Sequence, residues 1–408
     1  MRTRGALAAA GWLAATFGMG AAPFGEAPAP VPRGTEPPPL FEDLARRAAE
    51  ARGGGRLPEA IARYREALSL RPAWDEGWWY LGTVLYELDR HGEAREAFAE
   101  VTARKPELGP AWTMRGLCDY RLAAYEDAER HLEEGFARGL AGNEAILKVA
   151  RFHRAALLVR QAEFDVAMGE LTLLVRMMDG SGPLYDLAGL VLLRLAHLPH
   201  EVPEDRRDLV AAAGRAGYWS LTRNNPEAEK AFAALIARWG DEPQVHYSYG
   251  VYLLREEPDR ALQEFRRELL RDPGHVYSHL QIAFEHLKRL DYAGARAPAE
   301  EAVRLAPRLF ASHNALGRAL VGLGETEKGV ASLEEAAQLA PDSPEVFFHL
   351  AQGYQRAGRP EDALGARTTF SRLDKARQAR RRANLLGRPP PDLPGEAPGG
   401  ADPEEEPR

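Results

Sequence analysis

Residues 75–108 read DEGWWYLGTVLYELDRHGEAREAFAEVTARKPEL, and apolar or small residues recur in them at helical spacing. The first run consists of Trp78, Leu81, Gly82 and Leu85, and the second of Ala94, Phe98 and Val101. Residues three and four positions apart share one face of an α-helix, so each run predicts an amphipathic helix. The segment Arg90-His91-Gly92 separates the two helices, and Pro106 closes the unit because proline blocks helix continuation.

The same pattern continues along the chain in a nearly constant phase. A small residue lies in the middle of successive first helices, at Ala48, Gly82, Gly116, Ala155, Gly189, Ala216, Gly250, Ala283, Gly317 and Ala351. These residues are 34, 34, 39, 34, 27, 34, 33, 34 and 34 positions apart. Such a period predicts a stacked array of helix pairs, because one pair cannot bury its apolar face alone.

The motif Trp78-x-x-Leu81-Gly82-x-x-Leu85, followed by Ala94-x-x-x-Phe98-x-x-Val101 and Pro106, resembles the tetratricopeptide repeat. The resemblance covers residues 41–377. It implies an all-α fold, a right-handed α-solenoid of about nine stacked helix-turn-helix repeats with one irregular helix near the middle. It also implies a concave groove that is lined by the first helix of each pair.

The spacing departs from this pattern near the middle of the chain and at its end. The gap of 27 residues after Gly189, with Pro199 and Pro203 inside it, predicts three helices over 183–240 instead of two pairs. We therefore expect an N-terminal block over 40–181, an irregular segment over 182–242 and a C-terminal block over 243–377. A basic run of Arg372, Lys375, Arg377, Arg380, Arg381 and Arg382 leads into residues 378–387, which predicts a polar helix there that closes the open-ended stack.

The two ends have compositions unlike that of the array. Arg2 and Arg4 precede the uncharged residues 5–22, which is the layout of a secretory signal, so we expect residues 1–22 to be a signal peptide or a retained anchor. The range 23–39 holds seven prolines in seventeen residues and predicts an extended linker. The range 388–408 is rich in proline and glutamate and predicts a disordered tail. An exported protein of the periplasm or cell envelope is favoured over a cytoplasmic one.

Composition and motif content argue against several classes of function. A net charge of −7 provides no concentrated basic surface for nucleic acid. A single cysteine, Cys118, excludes an internal disulfide and cysteine-based zinc sites. His197 and His200 lack the i, i+4 spacing of a helical metal site, and we expect them to be exposed loop residues. No phosphate loop or nucleophile motif occurs, so we expect neither catalysis nor a cofactor.

Counting from the small residue of each first helix predicts which side chains face the groove. Five residues further on, a basic residue recurs in six units, at Arg121, Arg160, Arg194, Arg255, Lys288 and Arg356. Aromatic residues occur three positions before the small residue, at Trp79, Phe152, Tyr247 and Phe348. Tyr86, Tyr120 and Phe284 are expected on the same side of their helices. A basic row with aromatic patches suits a protein or an extended peptide that carries acidic groups or a free carboxylate.

The leading hypothesis is a non-catalytic scaffold that binds a protein or peptide in this groove. Two alternatives stay open at this point. Aromatic side chains in a groove also stack on sugar rings, which fits a carbohydrate- or cell-wall-associated module. If residues 5–22 are retained in a membrane, the array is instead a tethered structural spacer.

Overall fold

The computed structural model describes residues 40–140 and 142–385, and their regular secondary structure is helical throughout. The predicted signal or anchor over 1–22, the linker over 23–39 and the tail over 388–408 lie outside the described residues, as do residues 386 and 387. The described part contains 19 α-helices packed in sequential pairs, which confirms the predicted all-α solenoid.

We number the helices in chain order. The first eleven are α1 (Leu40–Gly53), α2 (Leu57–Leu70), α3 (Asp75–Glu87), α4 (His91–Arg104), α5 (Gly109–Arg121), α6 (Tyr125–Arg138), α7 (Glu144–Arg160), α8 (Phe164–Leu174), α9 (Gly182–Leu192), α10 (Arg207–Leu221) and α11 (Asn225–Trp239). A short 3₁₀ helix, Glu204–Arg206, precedes α10. The remainder are α12 (Val245–Leu253), α13 (Pro258–Arg271), α14 (Val276–Lys288), α15 (Tyr292–Leu305), α16 (Phe310–Gly322), α17 (Thr326–Leu339), α18 (Pro344–Arg356) and α19 (Pro360–Leu385).

Small residues let the two helices of a pair approach closely. Gly82 of α3 lies against the fully buried ring of Phe98 in α4, and a Cβ atom at Gly82 would be 2.9 Å from that ring. Likewise, a Cβ atom at Gly317 of α16 would be 2.8 Å from the carbonyl oxygen of Gly329 in α17. The small residues that define the sequence period are therefore packing positions, because side chains of ordinary size do not fit there.

The turn between the two helices of a pair has a recurring backbone conformation. A residue with positive φ follows the small mid-helix residue by seven positions in eight pairs: Gly55, Asp89, Ala123, Ala162, Arg223, Leu290, Gly324 and Gly358. This left-handed conformation ends one helix and redirects the chain into the next. After α9 the positive φ comes earlier, at Arg194, only five positions after Gly189. The chain thus leaves the repeat geometry at Arg194.

The segment 182–242 contains α9, α10 and α11. Between α9 and α10 the chain runs through residues 193–206 instead of a tight turn. Helix α10 packs against both α9 and α11. Two glycines bring α9 and α10 together, since a Cβ atom at Gly189 would lie 1.9 Å from the Val210 carbonyl oxygen. A Cβ atom at Gly214 would lie 1.8 Å from the Tyr185 carbonyl oxygen.

The chain divides into two compact units, and the boundary between them in the sequence follows Pro273. Unit 1 holds the described helices α1–α13, and unit 2 holds α14–α19. The limits of the three predicted blocks stay predictions. Residues 378–385 of the predicted closing helix are the C-terminal part of the long helix α19. No described helix, α19 included, combines the length and the apolar character needed to span a bilayer.

Candidate partner-binding surface

The first part of the candidate surface in unit 1 lies where α3 and α5 end. Tyr86 is in the last turn of α3, and its ring centroid is 5.0 Å from that of His91, the first residue of α4. Nη2 of Arg121 at the end of α5 is 3.2 Å from Oδ1 of Asp89. Burial raises the pKa of the Tyr86 hydroxyl. Burial and then the charge of Arg121 lower the pKa of His91.

Two buried polar atoms at this place have no hydrogen-bond partner within residues 40–140 and 142–385. They are Oη of Tyr86 and Nδ1 of His91. A buried polar group without a partner costs about 1–3 kcal/mol, so a ligand that offers one gains binding energy. The Tyr86 hydroxyl can donate a hydrogen bond, and Arg121, 3.2 Å from Asp89, adds a positive charge, so a carboxylate is the ligand group that fits this hydroxyl best.

The second part of the surface surrounds Tyr120, in the last turn of α5. Its ring centroid lies 4.6 Å from that of His153 in α7 and 5.7 Å from that of Tyr125 in α6. The exposed guanidinium of Arg160, at the end of α7, lies 4.5 Å from the centre of the Tyr125 ring. Burial, together with the charges of Arg121 and His200, lowers the pKa of His153 to about 4.

Residues 193–206, which we call the strap, reach the same place from the far end of α9. The ring centroid of His200 is 6.3 Å from that of Tyr120, although 80 positions separate the two residues in the sequence. Burial raises the pKa of Tyr120 and of Tyr125, and the negative charge of Glu201 raises both further. The strap therefore contributes to the burial of Tyr120, which is 9% exposed.

Three other predicted groove residues of unit 1 lie in the interior or at the turn edge. Trp79 is 2% exposed and its ring centroid lies 5.5 Å from that of Phe98, so it belongs to the core of its helix pair and not to an accessible wall. Phe152 is half-buried beside His153. Arg194 is 3.3 Å from Asp165 and its guanidinium lies 5.0 Å from the Phe164 ring centre.

The last two predicted residues of unit 1 are on α12 and the turn after it. Tyr247 is half-buried, with its ring centroid 5.8 Å from that of Phe265. Arg255 is exposed and lies 2.5 Å from Glu256.

Unit 2 carries four predicted groove residues. Phe284 is half-buried on α14, and Lys288, in the same helix, is exposed and 3.7 Å from Glu285. Phe348 is 44% exposed on α18, with its ring centroid 5.5 Å from that of Phe370. Arg356 donates a hydrogen bond of 3.2 Å to the carbonyl oxygen of Val321. Their role in binding stays a prediction.

Comparison with known families identifies the repeat. Residues 46–108, 222–276, 280–344 and 314–369 match the tetratricopeptide repeat family, and together they cover just over half of the chain. The chain belongs to the tetratricopeptide repeat family. Proteins of this family are typically non-catalytic.

Solved structures of MamA, also tetratricopeptide proteins, are similar to part of the chain. MamA from Desulfovibrio magneticus RS-1, from residue 41 to its end, is 23% identical over 41% of this chain and 95% of that one, with a TM-score of 0.37. A MamA RS-1 double mutant is 24% identical over 38% and 89% of the two chains, with a TM-score of 0.35. No curated protein matches the sequence.

The surface around Tyr120 lies between the first two segments that match the family. Residues 109–221, between the first two matched segments, include α5 to α10 and the strap. Sequence reasoning placed Tyr86, Tyr120, Arg121 and Arg160 in the groove but missed His91, His153 and Glu201. The 27-residue gap was a signal that a strap exists, but no periodic pattern predicts where it goes.

The described residues show no constellation that suits metal or thiol chemistry. No group of three or more His, Cys, Asp or Glu side chains in residues 40–140 and 142–385 has an arrangement that could hold a metal ion. Cys118 is buried in α5, and burial raises the pKa of its thiol, which makes it a poor nucleophile. A cavity of about 330 Å³ lies beside the strap and is lined by Leu193, Leu195, His197, Val202, Pro203, Asp205, Arg206, Leu209, Glu242 and Pro243.

Proposed function

We propose that this tetratricopeptide protein is a non-catalytic scaffold in the cell envelope that binds an extended, acidic peptide segment of a protein partner. The binding surface that we propose consists of Tyr86, Tyr120 and Tyr125 together with Arg121 and Arg160. The observation that carries the proposal is the partnerless buried Oη of Tyr86 beside the Arg121 guanidinium.

The spacing of the basic groups supports an extended ligand. Tyr86 and Tyr120 occupy equivalent positions in consecutive helix pairs, and Arg121 and Arg160 end the first helices of consecutive pairs. A peptide that runs across the helix ends meets a cation and a tyrosine at each step. Arg121 is paired with Asp89, whose side chain is 65% exposed, so a ligand carboxylate can replace Asp89 without first opening the core.

Selection from a randomised decapeptide display library tests this proposal. The wild-type array is expected to select peptides enriched in Asp and Glu, because two guanidinium groups favour carboxylates. Arg121→Glu and Arg160→Glu should remove that enrichment. Arg130→Glu is the matched control, since Arg130 is exposed on α6 and pairs with Asp127.

Three other results would contradict part of the proposal or support one of the alternatives. Selected peptides without acidic enrichment contradict the acidic partner. Binding of neutral glycans that is indifferent to both charge reversals supports the carbohydrate alternative. Sequencing the N-terminus of the mature protein tests export, because an intact Met1 or Arg2 contradicts a cleaved signal and supports the tethered spacer.

A further inference from the structure

We propose that the strap is an intramolecular occupant of the surface at Tyr120 and Tyr125, and that an acidic partner segment binds there by displacing Glu201. This inference rests on the proposed function, because it names what controls access to the same surface. The strap is covalently part of the array, so its effective concentration at the surface is high and a partner must compete with it.

The strap reaches Tyr120 through His200. His200 contacts Tyr120 from a segment that the tetratricopeptide pattern does not require, since a regular pair needs only a tight turn after its first helix. Glu201 is next to His200 in the sequence, and its negative charge raises the pKa of Tyr120 and of Tyr125, the ring over which Arg160 lies. The strap thus presents to this surface the chemical group that we expect a partner to present.

The Glu201 carboxylate accepts a backbone hydrogen bond but has no ion pair among the described residues. Its Oε2 accepts a hydrogen bond of 3.0 Å from the backbone N–H of Leu198, which closes a small turn. Among the described residues no cationic side chain lies within ion-pair distance of this carboxylate, and the residue is exposed. A partner carboxylate that pairs directly with Arg160 therefore gains an interaction that Glu201 does not make.

The packing of the strap makes displacement feasible. Leu198 and Val202 are buried, but on one side the strap borders the cavity of about 330 Å³. Space without partner atoms contributes no dispersion energy, so movement on that side loses few contacts. Nη1 of Arg206 lies 2.5 Å from Oε2 of Glu242, and this ion pair holds the C-terminal end of the strap. Pro199 and Pro203 restrict the backbone between these anchors.

The first test measures competition by Glu201. The full chain is titrated at low salt into a fluorescein-labelled octapeptide of alternating Glu and Ser. Fluorescence anisotropy of the label measures the affinity. Glu201→Gln removes the charge, while its amide oxygen can still accept the Leu198 hydrogen bond. We expect about threefold tighter binding, since one exposed charge contact is worth a factor of about two to five. The control Glu204→Gln makes the same charge change at an exposed residue three positions away and should leave binding unchanged.

The second test measures the cover over Tyr120 without any ligand. Hydroxyl-radical footprinting with mass spectrometry reports the oxidation rate of individual side chains. His200→Ala should raise the rate at Tyr120, whereas His197→Ala, on the cavity side of the strap, should not. An unchanged rate at Tyr120 in His200→Ala overturns the strap as a cover and leaves the proposed function standing.

The remaining outcomes separate the two proposals. Equal affinity of the octapeptide for Glu201→Gln and Glu204→Gln overturns competition by the strap. Weaker binding by Glu201→Gln also overturns it, because Glu201 would then assist the ligand. If neither the wild type nor any variant binds the octapeptide, the proposed function fails, and the inference fails with it.

Discussion

Gly189 and Gly214 bring the backbones of α9 and α10 into direct contact, so neither position has room for a Cβ atom. Gly189→Ala should lower the free energy of unfolding by about 3 kcal/mol, because overpacking against a backbone carbonyl forces the helices apart. Gly169→Ala in α8 is the control, since no atom lies within 4 Å of its added Cβ. It should raise stability by roughly 0.5–1 kcal/mol. Urea unfolding followed by circular dichroism measures both; a similar loss in the two variants contradicts the packing argument.

His153 should make the free energy of unfolding depend on pH. Burial lowers its pKa from an ordinary 6.5 to about 4, so the folded protein keeps this ring neutral while the unfolded chain takes up a proton. Stability contributed by the neutral ring is present above pH 6.5 and is lost as the pH falls toward 4, at about 1.4 kcal/mol per pH unit at most. His153→Leu should flatten the slope of the unfolding free energy over this window. His279→Leu in unit 2 should not, and an equal flattening there contradicts the assignment.

Single residues also show where sequence reasoning reached its limit. The period placed Gly82 and Phe98 on the apolar faces of their helices, and the structure packs the two residues against each other. It placed Trp79 in the groove, but the structure buries Trp79 and leaves the neighbouring Trp78 half-buried. A first helix is flanked by other helices on several sides, so only a narrow stripe stays accessible. Periodicity cannot locate that stripe to within one residue.

At the scale of the helix, α12 begins without a side-chain cap of its own. Gln244 precedes it in the left-handed conformation, and Glu268 of α13 supplies the missing acceptor. Its carboxylate, which is fully buried, accepts from the backbone N–H groups of Gln244 at 2.8 Å and Tyr247 at 3.1 Å. A carboxylate at a helix N-terminus satisfies free N–H groups and interacts favourably with the helix dipole.

Replacement of this distant cap should destabilise unit 1. Glu268→Gln removes the charge and turns one acceptor into an N–H₂ donor that faces another donor. We expect a loss of about 1–3 kcal/mol in the free energy of unfolding. The control Glu335→Gln makes the same change at an exposed position of α17 and should stay within about 0.5 kcal/mol. Thermal unfolding followed by circular dichroism compares the two, and equal melting temperatures speak against the cap.

The strap shows the same limit at the scale of elements. The 27-residue gap and two prolines indicate an irregular segment, and in this region the chain runs through residues 193–206 between α9 and α10. The place where the strap packs could not be read from the sequence. Its contact with Tyr120 spans 80 positions and depends on how the helix pairs stack, which no local pattern encodes.

At the scale of the whole chain, contacts join helices that are near neighbours in sequence. The stability of such an array is close to a sum of repeat and nearest-neighbour contributions, so damage at one pair should stay local. Hydrogen exchange with mass spectrometry tests this on Gly189→Ala. Exchange should rise in α9 and α10 and in the adjoining α8 and α11, whereas residues 276–385 of unit 2 keep the wild-type rate. Gly169→Ala should raise exchange nowhere. A uniform rise across both units in Gly189→Ala would mean that the described helices unfold as one cooperative body, and stability could then no longer be assigned pair by pair.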